Sequence, residues 1–131
     1  ALKNEKIKIF RAGQIPLGDS KNVIEFSLNS EIKQMIKLKL PEIKMGKILT
    51  ADTYVNCIKT RENLFKKFGA QVVDMESAAV AQVSEQFEKN SIIIRSVCDF
   101  AGIDKKIYSN NFNRAAKKSF ETLKKILKIF N

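Results

Sequence analysis

Hydrophobic and polar positions recur along this chain in two periods, near two and near three and a half residues, and the switches between them mark out its elements. From Gly46 onward the order is clear. GKILTADTYV reads as a strand running into a loop. TRENLFKKFG reads as a short helix with Leu64, Phe65 and Phe68 on one face, Thr60 as its N-cap and Gly69 as its stop. AQVVD is a second strand. MESAAVAQVSEQFEKN is a second helix, with Met75, Ala78, Ala79, Gln82 and Val83 sharing a face and Asn90 closing it. SIIIRSVCD is a third strand, because the unbroken run Ile92, Ile93, Ile94 suits a strand covered on both faces. NFNRAAKKSFETLKKILKIF predicts a long amphipathic helix, with Phe112, Ala116, Leu123, Leu127 and Phe130 inward and most lysines outward. Ahead of Gly46 the pattern is less regular. KIKIF, Lys6 to Phe10, alternates like a short strand. IPLGDSKN, with Pro16 and Gly18, is a loop, and SEIKQMIKLKL is a helix through Ile32, Met35, Ile36 and Leu40 that Pro41 ends.

Strand and helix alternating in this way imply an α/β fold with parallel strands and right-handed crossovers. In such sheets ligands bind outside the carboxyl ends of the strands. Three segments reach that edge: TADTYV, VDME and CDFAG. Adjacent strands lie about 4.8 Å apart, so side chains leaving neighbouring strand ends can touch one small ligand.

Composition narrows the classes of function. A chain of 131 residues with 44% hydrophobic content fits one globular domain. No window approaches the roughly 18 uninterrupted apolar residues of a membrane span, and no signal-peptide pattern opens the chain. The chain begins at Ala1 rather than Met, so a preceding segment, including any targeting sequence, is left open; the expected location is the cytoplasm. There is no histidine, and the two cysteines, Cys57 and Cys98, stand far apart, which argues against zinc, against a Cys-His nucleophile and for reduced thiols. The net charge of +10 comes from 20 lysines and 4 arginines. Scattered lysines without arginine forks or aromatic platforms read first as a solvated surface and second as a site for a polyanion such as nucleic acid or a sulfated polysaccharide.

The chemistry gathers where strands end. Asp99 follows an apolar strand at its carboxyl end, where partial desolvation favours the neutral acid and makes it a proton donor near neutral pH; a turn former or helix cap is the plainer reading. Arg95 has the strand parity of Val97 and Asp99 and faces the same side. In VVDMES, helix-start electrostatics account for acids at Asp74 and Glu76 alike. They leave unexplained Met75 between them and the small residues Ser77, Ala78 and Ala79 after them, which let a helix start approach a ligand. A carboxylate there can accept two hydroxyl hydrogen bonds, as a ribose diol offers. Asp74 is read as the cap and Glu76 as the ligand-binding acid, and the residues alone point to a polar small-molecule site holding a sugar.

VVDMESAAVAQV followed by IIIRSVCDFAG resembles the paired signature of the nucleoside phosphorylase and nucleosidase superfamily, most of all its 5′-methylthioadenosine/S-adenosylhomocysteine nucleosidases. GQIP at Gly13 to Pro16, TADTYV and the last helix extend the likeness over nearly the whole chain. The resemblance implies a three-layer α/β/α fold with a mostly parallel central sheet, of which residues 1–131 form the C-terminal portion, the N-terminal half not being present in this chain. It implies hydrolysis of the N-glycosidic bond of a thioadenosine to adenine and a thioribose, without a cofactor, in a homodimer. Asp99 would protonate the purine at N7, Glu76 would hold the ribose hydroxyls and Met75 would pack on the sugar. Tyr54 and Val55 would line the adenine pocket, Arg95 would position the attacking water, and Pro16 would reach the alkylthio pocket of a neighbouring subunit. Cys98 stands where family members usually carry serine and is a weaker donor to Asp99. Tyr108 falls near a phenylalanine that covers the substrate. The water-activating glutamate and the glycine-rich loop of the family's N-terminal half are not found here, so the chain alone is expected to be inactive. A purine nucleoside phosphorylase is the alternative enzyme, from which arginine in RSVCD leans away, and a lysine-rich polyanion-binding module is the alternative from another class.

Overall fold

The computed structural model describes residues 15–17, 21–23, 25–102 and 105–131, with side chains for 25–102 and 111–131. KIKIF lies outside the described residues. Across IPLGDSKN, expected as a loop, and the Val23 that follows it, two short strands pair antiparallel: β1 (Ile15–Leu17) and β2 (Lys21–Val23), with Pro16 opposite Asn22. A two-stranded ribbon is all edge, and an edge is where proline's missing N–H is tolerated.

Helix α1 (Ser30–Lys39) starts because the Asn29 side chain accepts from the N–H groups of Glu31 and Ile32, at 3.0 and 3.2 Å. It ends as expected before Pro41. Strands β3 (Ile48–Thr50) and β4 (Val72–Asp74) are parallel and in register, Ile48 beside Val72 and Thr50 beside Asp74, with α2 (Ile58–Phe68) between them in sequence. Thr60 is not the cap of α2. The cap position falls three residues earlier, at Cys57, which is still extended and whose carbonyl accepts from Arg61 N–H at 3.0 Å. Gly69 does stop it, in the left-handed region at φ 65.

Helix α3 (Ser77–Gln86) packs on β3 and ends before Asn90. Glu88 takes φ 54, its N–H reaches the Glu85 carbonyl, and the Lys89 N–H reaches the Ser84 carbonyl. This paired arrangement satisfies the last free carbonyls of the helix without asparagine, although glycine usually holds the left-handed position. The expected third strand, SIIIRSVCD, is unpaired: residues 91–98 form no ladder among the described residues. Periodicity found an apolar extended segment, but a strand also needs a hydrogen-bonded neighbour.

The final helix, α4 (Lys105–Phe130), is longer than predicted and turned from its expected face. Among its described side chains Ile126 is the buried one, and the helix contacts α1, where Ile36 is buried, whereas Phe112, Ala116, Leu123, Leu127 and Phe130 are all exposed. The half-buried positions Asn111, Ala115, Ser119, Thr122 and Ile129 continue the Ile126 stripe. Two stripes therefore run side by side, and α1 covers the one with smaller side chains. No helix among the described residues is long and apolar enough to cross a membrane.

One carboxylate ties β3, β4 and α3 together. Asp74 Oδ1 accepts from the Thr50 hydroxyl at 2.7 Å and from Ser77 N–H at 3.3 Å, and Oδ2 accepts from the Ser77 hydroxyl and from Arg95 Nε at 2.7 Å. Thr50 Oγ1 in turn accepts from Ala78 N–H at 2.9 Å. The first turn of α3 is thus capped by side chains from the ends of two strands, while the residue at its cap position, Glu76, makes no capping bond. Burial pushes the Asp74 carboxyl up, and the hydrogen bonds from Ser77, Thr50 and Arg95 outweigh it, leaving the group below its usual range.

Two outcomes are expected. Since the folded carboxyl titrates below its unfolded value of about 3.9, its stabilisation is complete above that pH and disappears as pH falls through the lowered folded value. Asp74→Ala should flatten that acid limb in urea unfolding and cost about 3 kcal/mol at neutral pH, because partners are left unpaired. Glu88→Gly should raise stability by about 0.5–1 kcal/mol, since it removes the left-handed penalty on a residue with a Cβ.

Candidate active site

The carboxyl ends of β3 and β4 open into a cleft of about 330 Å³, counted with its mouth. The loop after β3 supplies Thr53, Tyr54 and Val55; the end of β4 supplies Val73, Asp74 and Met75; the turn after residues 91–98 supplies Asp99 and Ala101. Val55 is buried and anchors its loop, which leaves Tyr54 and Met75 half exposed on the cleft walls. An aromatic ring, a thioether and an aliphatic wall give a planar apolar ligand surfaces to stack on, and two acids give it polarity.

The structure brings Tyr54, Val55, Met75 and Asp99 of the expected site residues to this cleft. Glu76, Arg95 and Cys98 do not line it; Arg95 and Cys98 are each bonded to a residue that does, and Glu76 pairs with Arg95. Arg95 spans the two acids of VVDMES, with Nε on Asp74 at 2.7 Å and Nη2 on Glu76 Oε2 at 3.5 Å. Cys98 Sγ donates to Asp99 Oδ2 at 3.7 Å. Burial and the Asp99 charge push the Cys98 thiol up, so it stays protonated and able to donate. The Cys98 carbonyl accepts from Asn111 Nδ2 at 3.2 Å, which ties the segment to α4. Pro16 lies in β1 and Tyr108 in α4, but both side chains lie outside the described residues.

The two acids around Met75 differ sharply. The Asp74 side chain is 10% exposed and both of its oxygens are occupied; the Glu76 side chain is 70% exposed and, among the described residues, pairs with the far end of Arg95. Asp74 is committed to the fold, while the Glu76 carboxylate faces solvent.

Sequence reading missed Thr50 and Ser77, which hold Asp74, and Ala101, which holds Asp99 Oδ1 with its N–H at 2.6 Å. A signal for Thr50 was present. It and Asp74 are the last residues of two strands that run parallel, and such residues come side by side. Ala101 left no signal, because its role belongs to the backbone. Among the described residues no three His, Cys, Asp or Glu side chains gather closely enough to hold a metal ion.

The chain is similar to known proteins along most of its length. The family model described as Phosphorylase superfamily matches residues 3–128. A 5′-methylthioadenosine/S-adenosylhomocysteine nucleosidase of Mycobacterium bovis is 28% identical over 129 residues, covering 85% of this chain and 51% of the relative. Among solved structures, a Borrelia burgdorferi B31 protein assigned to the same nucleosidases and bound to adenine is 26% identical, with a TM-score of 0.77, over 92% of this chain and 53% of that one. The futalosine hydrolase of Helicobacter pylori strain 26695 is 25% identical, with a TM-score of 0.76, over 86% of this chain and 49% of its own. This chain spans about half the length of the curated relatives it matches. The parallel β3–β4 pair, the helices around it and the order of VVDMES before RSVCD all fall within the matched stretch, and the chain belongs to the phosphorylase superfamily, with its nucleoside phosphorylase-like α/β fold.

Proposed function

We propose that this chain carries the purine- and ribose-binding half of an N-glycosidic hydrolase acting on 5′-methylthioadenosine and S-adenosylhomocysteine. The observation that carries the reading is the placement of Asp99 in one cleft with Tyr54, Val55 and Met75. The names of the relatives and the adenine bound by the Borrelia protein support the choice of substrate class.

In this mechanism the purine stacks against Tyr54 beside Val55, and Asp99 donates a proton to N7. The electrons of the C1′–N9 bond pass to the purine, which leaves as neutral adenine, and the ribose becomes an oxocarbenium-like cation. Water adds to C1′ and loses a proton, completing the hydrolysis. Protonating the leaving group and offsetting the positive charge on the sugar lower this barrier. Glu76 accepts from the ribose hydroxyls, with Arg95 holding its carboxylate from the side of Asp74, and Met75 packs on the sugar. A group in the other half of the fold takes the proton from water.

Three features support the half-fold reading. Relatives are about twice as long as the matched stretch. Residues 91–98 have backbone groups without ladder partners among the described residues. Phe120, Leu123, Leu127 and Phe130 on α4, with Val80 and Val83 on α3 and Phe87 at its C-cap, are exposed apolar side chains of the kind an added layer covers.

The 131-residue chain alone should release no adenine from methylthioadenosine. A polypeptide that joins it to the N-terminal half of a phosphorylase-superfamily nucleosidase should release it without phosphate. Full turnover by the short chain would remove the half-fold reading, and strict dependence on phosphate would make the protein a phosphorylase. In the active polypeptide, Asp99→Asn should lower kcat by about 10²- to 10⁴-fold. Glu76→Gln should weaken substrate binding by about tenfold or more, for the loss of a charged acceptor. Asp74→Asn, assayed well below its melting temperature, should change binding far less, and equal effects of the two would return Glu76 to a purely structural role.

A further inference from the structure

The turn that presents Asp99 has almost no apolar anchor. The Phe100 side chain is 63% exposed, Ala101 is small and Gly102 has no side chain. Its position must come from polar and backbone contacts. Arg61, in the first turn of α2, donates through Nη1 to the Phe100 carbonyl at 2.8 Å. Asp99 Oδ1 accepts from the Ala101 N–H at 2.6 Å. That carbonyl and that N–H belong to the same peptide unit, which is planar and rigid. Arg61 therefore grips one end of a plate, and the Asp99 carboxyl is held by the other end.

The chain beyond this plate is constrained as well. Ala101 and Gly102 take φ 44 and 95, in the left-handed region. A Cβ at Gly102 would stand 2.7 Å from Cys57 N and 2.8 Å from its carbonyl carbon, so the turn rests directly on the backbone from which α2 rises.

We infer that Arg61 is a positioning residue for Asp99, acting through the Phe100–Ala101 peptide bond; the inference rests on the proposed role of Asp99 as the proton donor. The guanidinium fixes the plate, and its charge polarises the peptide so that the Ala101 N–H is a stronger donor. Oδ1 is thereby held by the backbone, while Oδ2 meets only the weak Cys98 thiol donor among the described residues. Lysine at this position would keep the charge and one donor but lose the planar fork that fixes direction.

Two measurements test this separately from the nucleosidase reading. In the 131-residue chain, amide hydrogen exchange at Ala101 should speed up by about tenfold or more in Arg61→Ala and by less in Arg61→Lys. Unchanged exchange in both variants would overturn the inference, whatever the enzyme does. In the active longer polypeptide, Arg61→Ala should lower kcat on the order of 10²-fold with KM nearly unchanged, the cost of misplacing a reacting group by about 1 Å. Arg61→Lys should recover part of that loss. On an Asp99→Asn background, Arg61→Ala should add less than about twofold, because both changes remove one function. Losses that multiply would show that Arg61 acts elsewhere. An inactive wild-type polypeptide would defeat the nucleosidase reading and leave Ala101 exchange to decide the contact.

Discussion

The fold around the site depends on one carboxylate. Asp74 ends β4, faces Thr50 at the end of β3, bonds the first residue of α3 and receives Arg95 from the following segment. Four stretches of chain thereby meet at two oxygens. A half-buried charge in this position is tolerated only because each oxygen is paired, and charge-assisted hydrogen bonds are about twice as strong as neutral ones. The start of α3 needs this help, since the residue at its cap position leaves the exposed N–H groups uncapped.

That arrangement explains how two acids separated by one residue serve different purposes. With Asp74 occupied by Thr50 and Ser77, the helix start is satisfied without Glu76, whose side chain turns outward. Arg95 links them: one nitrogen neutralises the inner acid and another steadies the outer one. The charge that stabilises the fold also orients the proposed ribose-binding group. Neither effect requires Arg95 to touch a substrate.

The order of elements from Ser30 onward, the parallel pair and the convergence of strand ends were legible in the sequence, because each follows from a local period and a general rule of topology. The separation of Asp74 from Glu76 was legible for the same reason: one sits where strand becomes helix and the other beyond it. What escaped depended on partners distant in sequence. Thr60 looks like a cap, but helical geometry begins at Ile58. SIIIRSVCD looks like a strand but has no ladder among the described residues. On α4 an apolar stripe through Phe112 and Leu127 is the stronger signal, yet α1 covers the stripe through Ile126. Nothing in a single helix says which of two adjacent stripes its neighbour will choose. At the cleft, side-chain chemistry was readable and backbone chemistry was not, so the position of the Asp99 carboxyl at the strand edge could be anticipated and its bond from the Ala101 N–H could not.

The rotated face of α4 and residues 91–98, which have no ladder among the described residues, have a common consequence. Large apolar side chains left at the surface while Ile126 is buried cost free energy, at about 25 cal/mol for each Å² of apolar area kept in water. Backbone groups left without ladder partners give up the net stabilisation of about 1 kcal/mol that each intramolecular hydrogen bond supplies. A two-stranded sheet recovers little of either cost, since independent stability generally needs three or more strands or a covering layer. Material that adds a strand beside residues 91–98 and a layer over α3 and α4 would relieve both at once. The cleft also stands to gain, because water excluded from its open side strengthens every polar contact within it, including the grip of the Ala101 N–H on Asp99. A layer over that surface would serve folding and chemistry together, because the surface adjoins the segment that carries Arg95, Cys98 and Asp99.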